Sequence, residues 1–316
     1  MNYKEFLSSV EDTMRSRFGS AYSLSVQSVL RNNGTSYDGL IIFHPEMNIS
    51  PTIYLNPYYH RYLDGISLKD ICEDIYASYI SSLPGRPFDT DFFTDYERVR
   101  SHLTMKLISR ERNEELLSDL PYLPVLDLAM VFMVLIDDDE LGCGNVLVHK
   151  EHAKLWNRSP EQLYCQAMTN CFRLQPPCCR KLEELMLDMV NEAAAEGIPD
   201  MGMPSFSPGE TSFPIRVLTN QAKVYGAACI LYPGLLASLA QKVESDLILL
   251  PSSVHEFLLI DAVDDACLDG FSYMVREVNE TEVADDEILS DHAYYYDRRE
   301  GRIYMPGRED FYQLMV

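Results

Sequence analysis

The chain of 316 residues carries 26 Lys and Arg against 49 Asp and Glu, which gives a formal net charge of −23 and a pI near 4.6. A hydrophobic share of 47% with 24% charged residues belongs to a folded chain, because acidic disordered chains lack the apolar residues to build a core. The charge excludes the clustered Lys and Arg that hold a phosphate backbone, so direct nucleic-acid binding is not expected, and it disfavours anionic lipid surfaces.

The first residues, MNYKEFLSSVEDTMRSRF, contain acids and no apolar h-region, and the longest apolar run is Leu128 to Ile136, far short of the ~20 residues that cross a bilayer. A cytoplasmic protein away from membranes is expected. Eight cysteines are scattered irregularly through the chain, which reads as reduced thiols and not as a disulfide framework. A chain of this length allows about two domains and can bury roughly 75% of its unfolded surface without covalent staples.

In chain order, Phe6, Leu7, Val10, Met14 and Phe18 recur at helical spacing and predict an amphipathic helix over 3–18. Apolar runs at 24–30 and 39–43 flank Asn32-Asn33-Gly34 and predict a β-hairpin, with a short third strand at 51–55. Asn56-Pro57 supplies an N-cap and a proline at the first helical position; Ser67 caps a longer helix to about Leu83, and Ser82-Leu-Pro-Gly-Arg-Pro87 breaks the chain. Residues 92–117 read as mainly helical, interrupted by a short strand at 105–108. The strand at 126–136 is too apolar to have a wet face. It ends in the acidic turn Asp137-Asp-Asp-Glu140 and returns over 145–149. Helices are expected at 151–156, from the Ser159-Pro160-Glu161 cap, and over 178–196. Further on, the pattern gives strands at 215–218, 224–231, 247–250 and 255–260, helices at 234–243 and 268–279, and a closing hairpin of 293–296 with 303–305.

Hairpins mixed with helices, without a regular βαβ rhythm, place the chain in the α+β class, with mixed, largely antiparallel sheets and flanking helices. Pro199, Gly202, Pro204, Pro208, Gly209 and Pro214 mark 198–214 as a loop or linker between an N-terminal part, 1–197, and a C-terminal part, 215–316. The order strand, strand, helix at 126–156 and again at 215–243 suggests a diverged internal repeat without a strict period.

The densest acidic stretch is 261–291, where eleven acids oppose Arg276 alone, a net charge of −10. Asp264, Asp265, Asp285, Asp286 and Glu287 are its candidate partner-binding residues, facing a basic protein, against the simpler reading of a solubilising surface. Neither this stretch nor 137–140 has the spacing of a calcium loop. The most enzyme-like string is Pro251-Ser252-Ser253-Val254-His255-Glu256. On a strand Ser253 and His255 share a face while Glu256 points away, so this segment alone cannot form a triad; His292, beside Asp291, is a candidate second imidazole if the terminal hairpin folds over the turn. The competing reading is a turn whose serines satisfy backbone groups. His149, His152 and Cys143 lack a fourth ligand, no dinucleotide fingerprint or Walker lysine is present, and no metal or cofactor is expected.

Asn32-Asn33-Gly34, Pro51-Thr-Ile-Tyr-Leu55, Leu218-Thr-Asn220, Tyr225-Gly-Ala227, Leu250-Pro-Ser-Ser-Val-His-Glu256 and Leu289-Ser-Asp291 together resemble the landmarks of an uncharacterised family, a domain of unknown function, from gut Gram-positive anaerobic bacteria. The resemblance spans nearly the whole chain and implies no activity; it directs attention to 250–256. The expected function is a non-enzymatic interaction or regulatory protein that presents 261–291 to a basic protein partner, in its most specific form as a nucleic-acid mimic. The alternative is a hydrolase centred on Ser252 or Ser253, with His255 as general base. The sequence leaves the oligomeric state open.

Overall fold

The computed structural model describes residues 1–138, 142–195, 214–262, 268–305 and 311–314, whose helices and antiparallel open sheets make an α+β protein. Helix α1 (Tyr3–Phe18) begins on a capping box: Asn2 accepts from the Glu5 N–H, and the Glu5 carboxylate accepts from the Asn2 N–H. Its stripe of Phe6, Val10 and Met14 is fully buried against a first sheet of β1 (Ser23–Leu30), β2 (Ser36–Phe43) and β3 (Thr52–Tyr54). Helices α2 (Asn56–Leu63) and α3 (Leu68–Ser81) complete this layer, with Ile71, Ile75 and Tyr79 of α3 in the same core. Ser67 caps α3 as expected. Asn56 does not cap α2; its side chain accepts from the Asp38 N–H at 2.8 Å and ties the helix start to β2. The β1–β2 turn takes positive φ at Asn33 (59°) and Gly34 (68°), which these two residue types tolerate best.

A second sheet follows the short helical turn α4 (Tyr96–Val99). It comprises β4 (Leu103–Ser109), β5 (Tyr122–Val125), β6 (Leu128–Asp138) and β7 (Gly142–Leu147), with α5 (Glu114–Leu117) between β4 and β5. Strand β6 is central. Its Met133 and Val134 pair with both β4 and β7, so β7 continues the edge begun by β5. Both faces of β6 are covered from Leu128 to Val134, in keeping with its unbroken apolar run. The short strand expected at 105–108 is present and longer, seven residues from Leu103 to Ser109, because Leu103, Met105 and Leu107 pack into one core while Ile108 packs into another; the helical stretch expected around it is reduced to single turns. Strand β5 had no sequence signal, since its turn to β6 uses Leu126 at φ 57° where Gly or Asn would mark a hairpin.

Helices α6 (Lys150–Leu155) and α7 (Pro160–Leu174) lead to β8 (Pro177–Lys181) and α8 (Leu182–Ala195). The third sheet has seven strands in the order β14-β13-β12-β10-β11-β9-β8, where β9 is Arg216–Asn220, β10 Leu247–Ser253, β11 Glu256–Asp261, β12 Tyr294–Asp297, β13 Arg302–Tyr304 and β14 Phe311–Gln313. Helix α9 (Leu235–Val243) lies on its inner side, and α10 (Leu268–Thr281) covers its outer face through Val275. The expected strand at 224–231 is instead a buried 3₁₀ segment, Gly226–Leu231, packed between the second and third sheets. A left-handed Tyr225 (φ 54°) turns the chain there, and the strand, strand, helix repeat is therefore not present. Residues 198–213 of the expected linker lie outside the described residues. The strands that flank that stretch, β8 and β9, pair directly, and one core joins residues 99–171 to residues 218–314.

Candidate functional site

Three sheets meet where the β1–β2 turn docks. The Asn33 N–H donates to Asn113 Oδ1 and Asn113 Nδ2 donates back to Asn33 Oδ1, both at 2.8 Å. Asn33 Nδ2 reaches the carbonyls of Asp285 and Ile288 at 2.8 and 2.7 Å, and Asn32 Nδ2 that of Asp286 at 2.8 Å. Buried amides paired in this way satisfy backbone groups that loops would otherwise leave unmet. The docking sets Arg31 at the rim of a cleft of about 380 Å³.

Lys106 and Ile108 of β4, with Asn145 and Leu147 of β7, form the floor of the cleft; Arg31, Tyr54, Tyr225, His255, Asp286 and Glu287 stand in its walls. Alternation along β4 turns Leu103, Met105 and Leu107 into the large core and leaves Lys106 on the cleft side. The Lys106 ammonium lies 4.4 Å from the centroid of the Tyr225 ring, a cation–π contact. It has no hydrogen bond or ion pair among the described residues. Burial, with Arg31 as a second cation, pushes its pKa down to about 8. Asn32 also lines the cleft, and its Oδ1 is a buried acceptor without a hydrogen bond among the described residues. Arg31 donates to the Tyr54 hydroxyl at 3.2 Å and makes a longer pair with Asp286 at 3.4 Å.

His255 sits in the turn between β10 and β11. Its Nδ1 accepts from the Tyr225 N–H at 3.0 Å, and its ring stacks on Tyr225 with centroids 5.5 Å apart. A neutral imidazole so bonded carries its proton on Nε2, which faces Glu287 Oε1 at 3.5 Å. The serines are arranged otherwise than a hydrolase requires. Ser253 Oγ accepts from the His255 N–H at 3.0 Å, and Ser252 Oγ donates to Glu256 Oε1 at 3.4 Å. With Nδ1 engaged by backbone and Nε2 turned to Glu287, His255 is no base for either serine. A register shift between Pro251 and Ser253 also removes the simple alternation that would have put Ser253 and His255 on one face. Gly226 is required beside this turn, because a Cβ there would stand 2.7 Å from the His255 carbonyl and 2.5 Å from the Asn220 nitrogen.

The family of unknown function DUF5688 matches residues 3–298. The chain belongs to that family. No curated protein and no solved structure matches it. The DUF5688 match takes in every residue of the cleft.

His292, the expected second imidazole, belongs to a different cluster of this DUF5688 chain. Its Nδ1 lies 3.2 Å from Asp127 Oδ2, which also accepts from Ser290 Oγ at 2.7 Å, while Tyr294 donates to Asp127 Oδ1 at 2.7 Å. Burial alone would push Asp127 up, but these hydrogen bonds hold it below the usual carboxylate range, and the bond to Asp127 raises His292. Serine, aspartate and histidine meet here with the carboxylate in the middle, so the imidazole bonds the aspartate and not the serine hydroxyl.

Of the acids expected to face a partner, Asp264 and Asp265 lie outside the described residues, and Asp285 is exposed. Asp286 turns inward, accepting from Tyr37 at 3.2 Å and pairing with Arg31. Glu287 lines the cleft. Asp261 and Asp291, from the same acidic stretch, pair with Arg216 at 2.6 Å and Arg112 at 2.9 Å. His149 bonds Asp119 at 2.6 Å and its N–H donates to His152, whereas Cys143 donates to Asp137; among the described residues no trio of such side chains is placed to hold a metal. Sequence reasoning reached His255 and missed Lys106 and Arg31. The available signal was a lone lysine in the apolar string Leu103-Thr-Met-Lys-Leu-Ile108.

Proposed function

We propose that this protein binds a small organic anion in the three-sheet cleft and that Lys106 is the cation that receives it. One observation carries the reading: an ammonium largely removed from water has no ion pair or hydrogen bond among the described residues, in a chain with 49 acids and 26 bases. Buried charges are paired as a rule, because desolvation without a partner costs several kcal/mol. An unpaired one in an accessible cleft is matched to a charge that arrives from outside. Arg31, which pairs with Asp286 at 3.4 Å, adds a second positive group to the cleft. The cleft volume suits a metabolite-sized molecule.

Thermal unfolding with inorganic phosphate, succinate or pyruvate tests this. At least one of the three is expected to raise the Tm of the native protein saturably and to leave that of Lys106→Met unchanged. No rise with any of them, or an equal rise in the variant, overturns the reading.

Docking of a basic protein is a second reading, and α10 favours it. Exposed Glu277 and Glu280 on this helix and Glu282 just past its end accompany exposed Tyr273, Met274 and Val278, with Arg276 as the exposed base among them. A crosslinking pulldown from cell extract is expected to lose its basic partner when these three glutamates and Asp285 are neutralised; an unchanged result removes the reading. A reducing, cytoplasmic setting is proposed with it, since the described cysteines are free thiols.

A further inference from the structure

Resting on the anion-binding reading, we propose that Lys106 is an amine nucleophile that forms an imine with a carbonyl-bearing acid, of which a 2-oxo acid is the simplest kind. The cleft floor places the amine on rigid β4, paired residue by residue with β6 from Leu103 to Ser109, so its approach to a carbonyl is fixed by a central strand and not by a loop. Apolar Ile108 and Leu147 share the floor with it, and Arg31, which pairs with Asp286 at 3.4 Å, stands in the wall as the group to take the carboxylate. The Tyr225 ring at 4.4 Å stabilises positive charge at the lysine nitrogen, which is where an iminium would carry it. An amine used only to hold an anion gains from staying protonated. Here burial and the neighbouring guanidinium favour the neutral form, the usual way a lysine is made nucleophilic.

The neutral amine attacks the carbonyl carbon. The C–N bond forms as the carbonyl π pair moves to oxygen, and one proton passes from nitrogen to that oxygen to give a carbinolamine. A second proton, delivered to the hydroxyl, lets the C–O bond leave with its electron pair as water while the nitrogen lone pair closes the C=N bond. The product is a protonated imine, with one water released. These protons are exchanged with water, to which the cleft is open.

The test uses the full chain with pyruvate and sodium cyanoborohydride, which reduces an imine to a stable secondary amine. Peptide mapping by mass spectrometry is expected to find one reduced pyruvate adduct, on Lys106, with a yield that rises with pH through about 8. Lys106→Arg keeps the charge and lacks the nucleophile, so it is expected to retain a pyruvate-induced rise in Tm and to lose the adduct. A rise in Tm of the native protein without an adduct on Lys106 overturns the imine and leaves anion binding standing. Adducts spread over exposed lysines with no excess at Lys106 overturn it equally. Absence of both the Tm rise and the adduct overturns the imine together with pyruvate as a ligand of the cleft.

Discussion

Asp127 and Lys106 are ionisable side chains of the same sheet, one in the turn between β5 and β6 and the other in the middle of β4. Asp127 is surrounded by donors: Ser290, His292 and Tyr294 all reach its two oxygens, and its charged form is favoured despite an exposure of only 18%. Lys106 has an aromatic face and no acceptor, and its charged form is disfavoured. A saturated buried charge holds elements together; here Asp127 fastens the strand β12 side of the third sheet to the second. An unsaturated one holds nothing, and its retention points to a partner outside the chain. Polarity and burial alone do not separate these roles. The count of satisfied hydrogen-bonding positions does.

The largest expected effect comes from removing the saturated charge. Asp127→Ala leaves His292, Ser290 and Tyr294 without their common acceptor and is expected to cost about 3–5 kcal/mol in urea unfolding. A loss below about 1 kcal/mol would erase the contrast between the two sites. Removing the unsaturated charge is expected to do the opposite. A drop in pKa from 10.5 to about 8 means that folding at neutral pH works against a bound proton, so Lys106→Met is expected to gain about 1–3 kcal/mol at pH 7. The gain is expected to shrink as pH rises from about 8 toward 10.5 and to be gone well above it, where the lysine of the native protein is neutral in both states.

Smaller effects refine the comparison. Ser253→Ala removes one acceptor for the His255 N–H and is expected to cost about 1 kcal/mol, with the ligand response of the cleft unchanged; loss of that response would return the serine to the site. The shallowest effect is the pH dependence of the Asp127–His292 pair. His292 is raised above 6.5, so its contribution is complete below pH 6.5 and is lost as pH rises through its folded value; Asp127 is lowered below 3.8, so its contribution is present above 3.8 and is lost as pH falls through its folded value. The contribution of this pair to the urea midpoint is expected to be highest between those limits and to decline gently above neutrality, as the difference between the native protein and His292→Gln. The midpoint difference between the native protein and His292→Gln is expected to close as pH rises through the folded value of His292.

The N-terminal layer is the part most legible in the sequence, because local rules and tertiary demands agree there. The stripe of α1, the Asn33-Gly34 turn and the Ser67 cap each carry their own signal. Strands β5 and β8 are not legible: β5 contains Pro124 and turns into β6 through Leu126 at positive φ, and Cys178-Cys179 runs without a break into a helical pattern at Leu182. The 3₁₀ segment Gly226–Leu231 is apolar because it is enclosed on all sides, and full burial reads the same for a strand as for any other conformation. The cleft follows the same division. His255 is accessible from its own string, but Arg31, Lys106 and Glu287 belong to three separate regions whose meeting depends on Asn33 and Asn113, 80 residues apart. The acidic stretch misled for a related reason, since net charge along the chain does not reveal that Asp261, Asp286 and Asp291 are each spoken for by an arginine.

The most direct measurement is the titration of Lys106 itself, read as the pH dependence of its acetylation by limiting acetic anhydride with site-resolved mass spectrometry. An uncompensated, largely buried ammonium is expected to titrate with a midpoint of about 8 and to move upward when an anionic ligand fills the cleft. A midpoint near 10.5, shared with exposed lysines, would contradict the account.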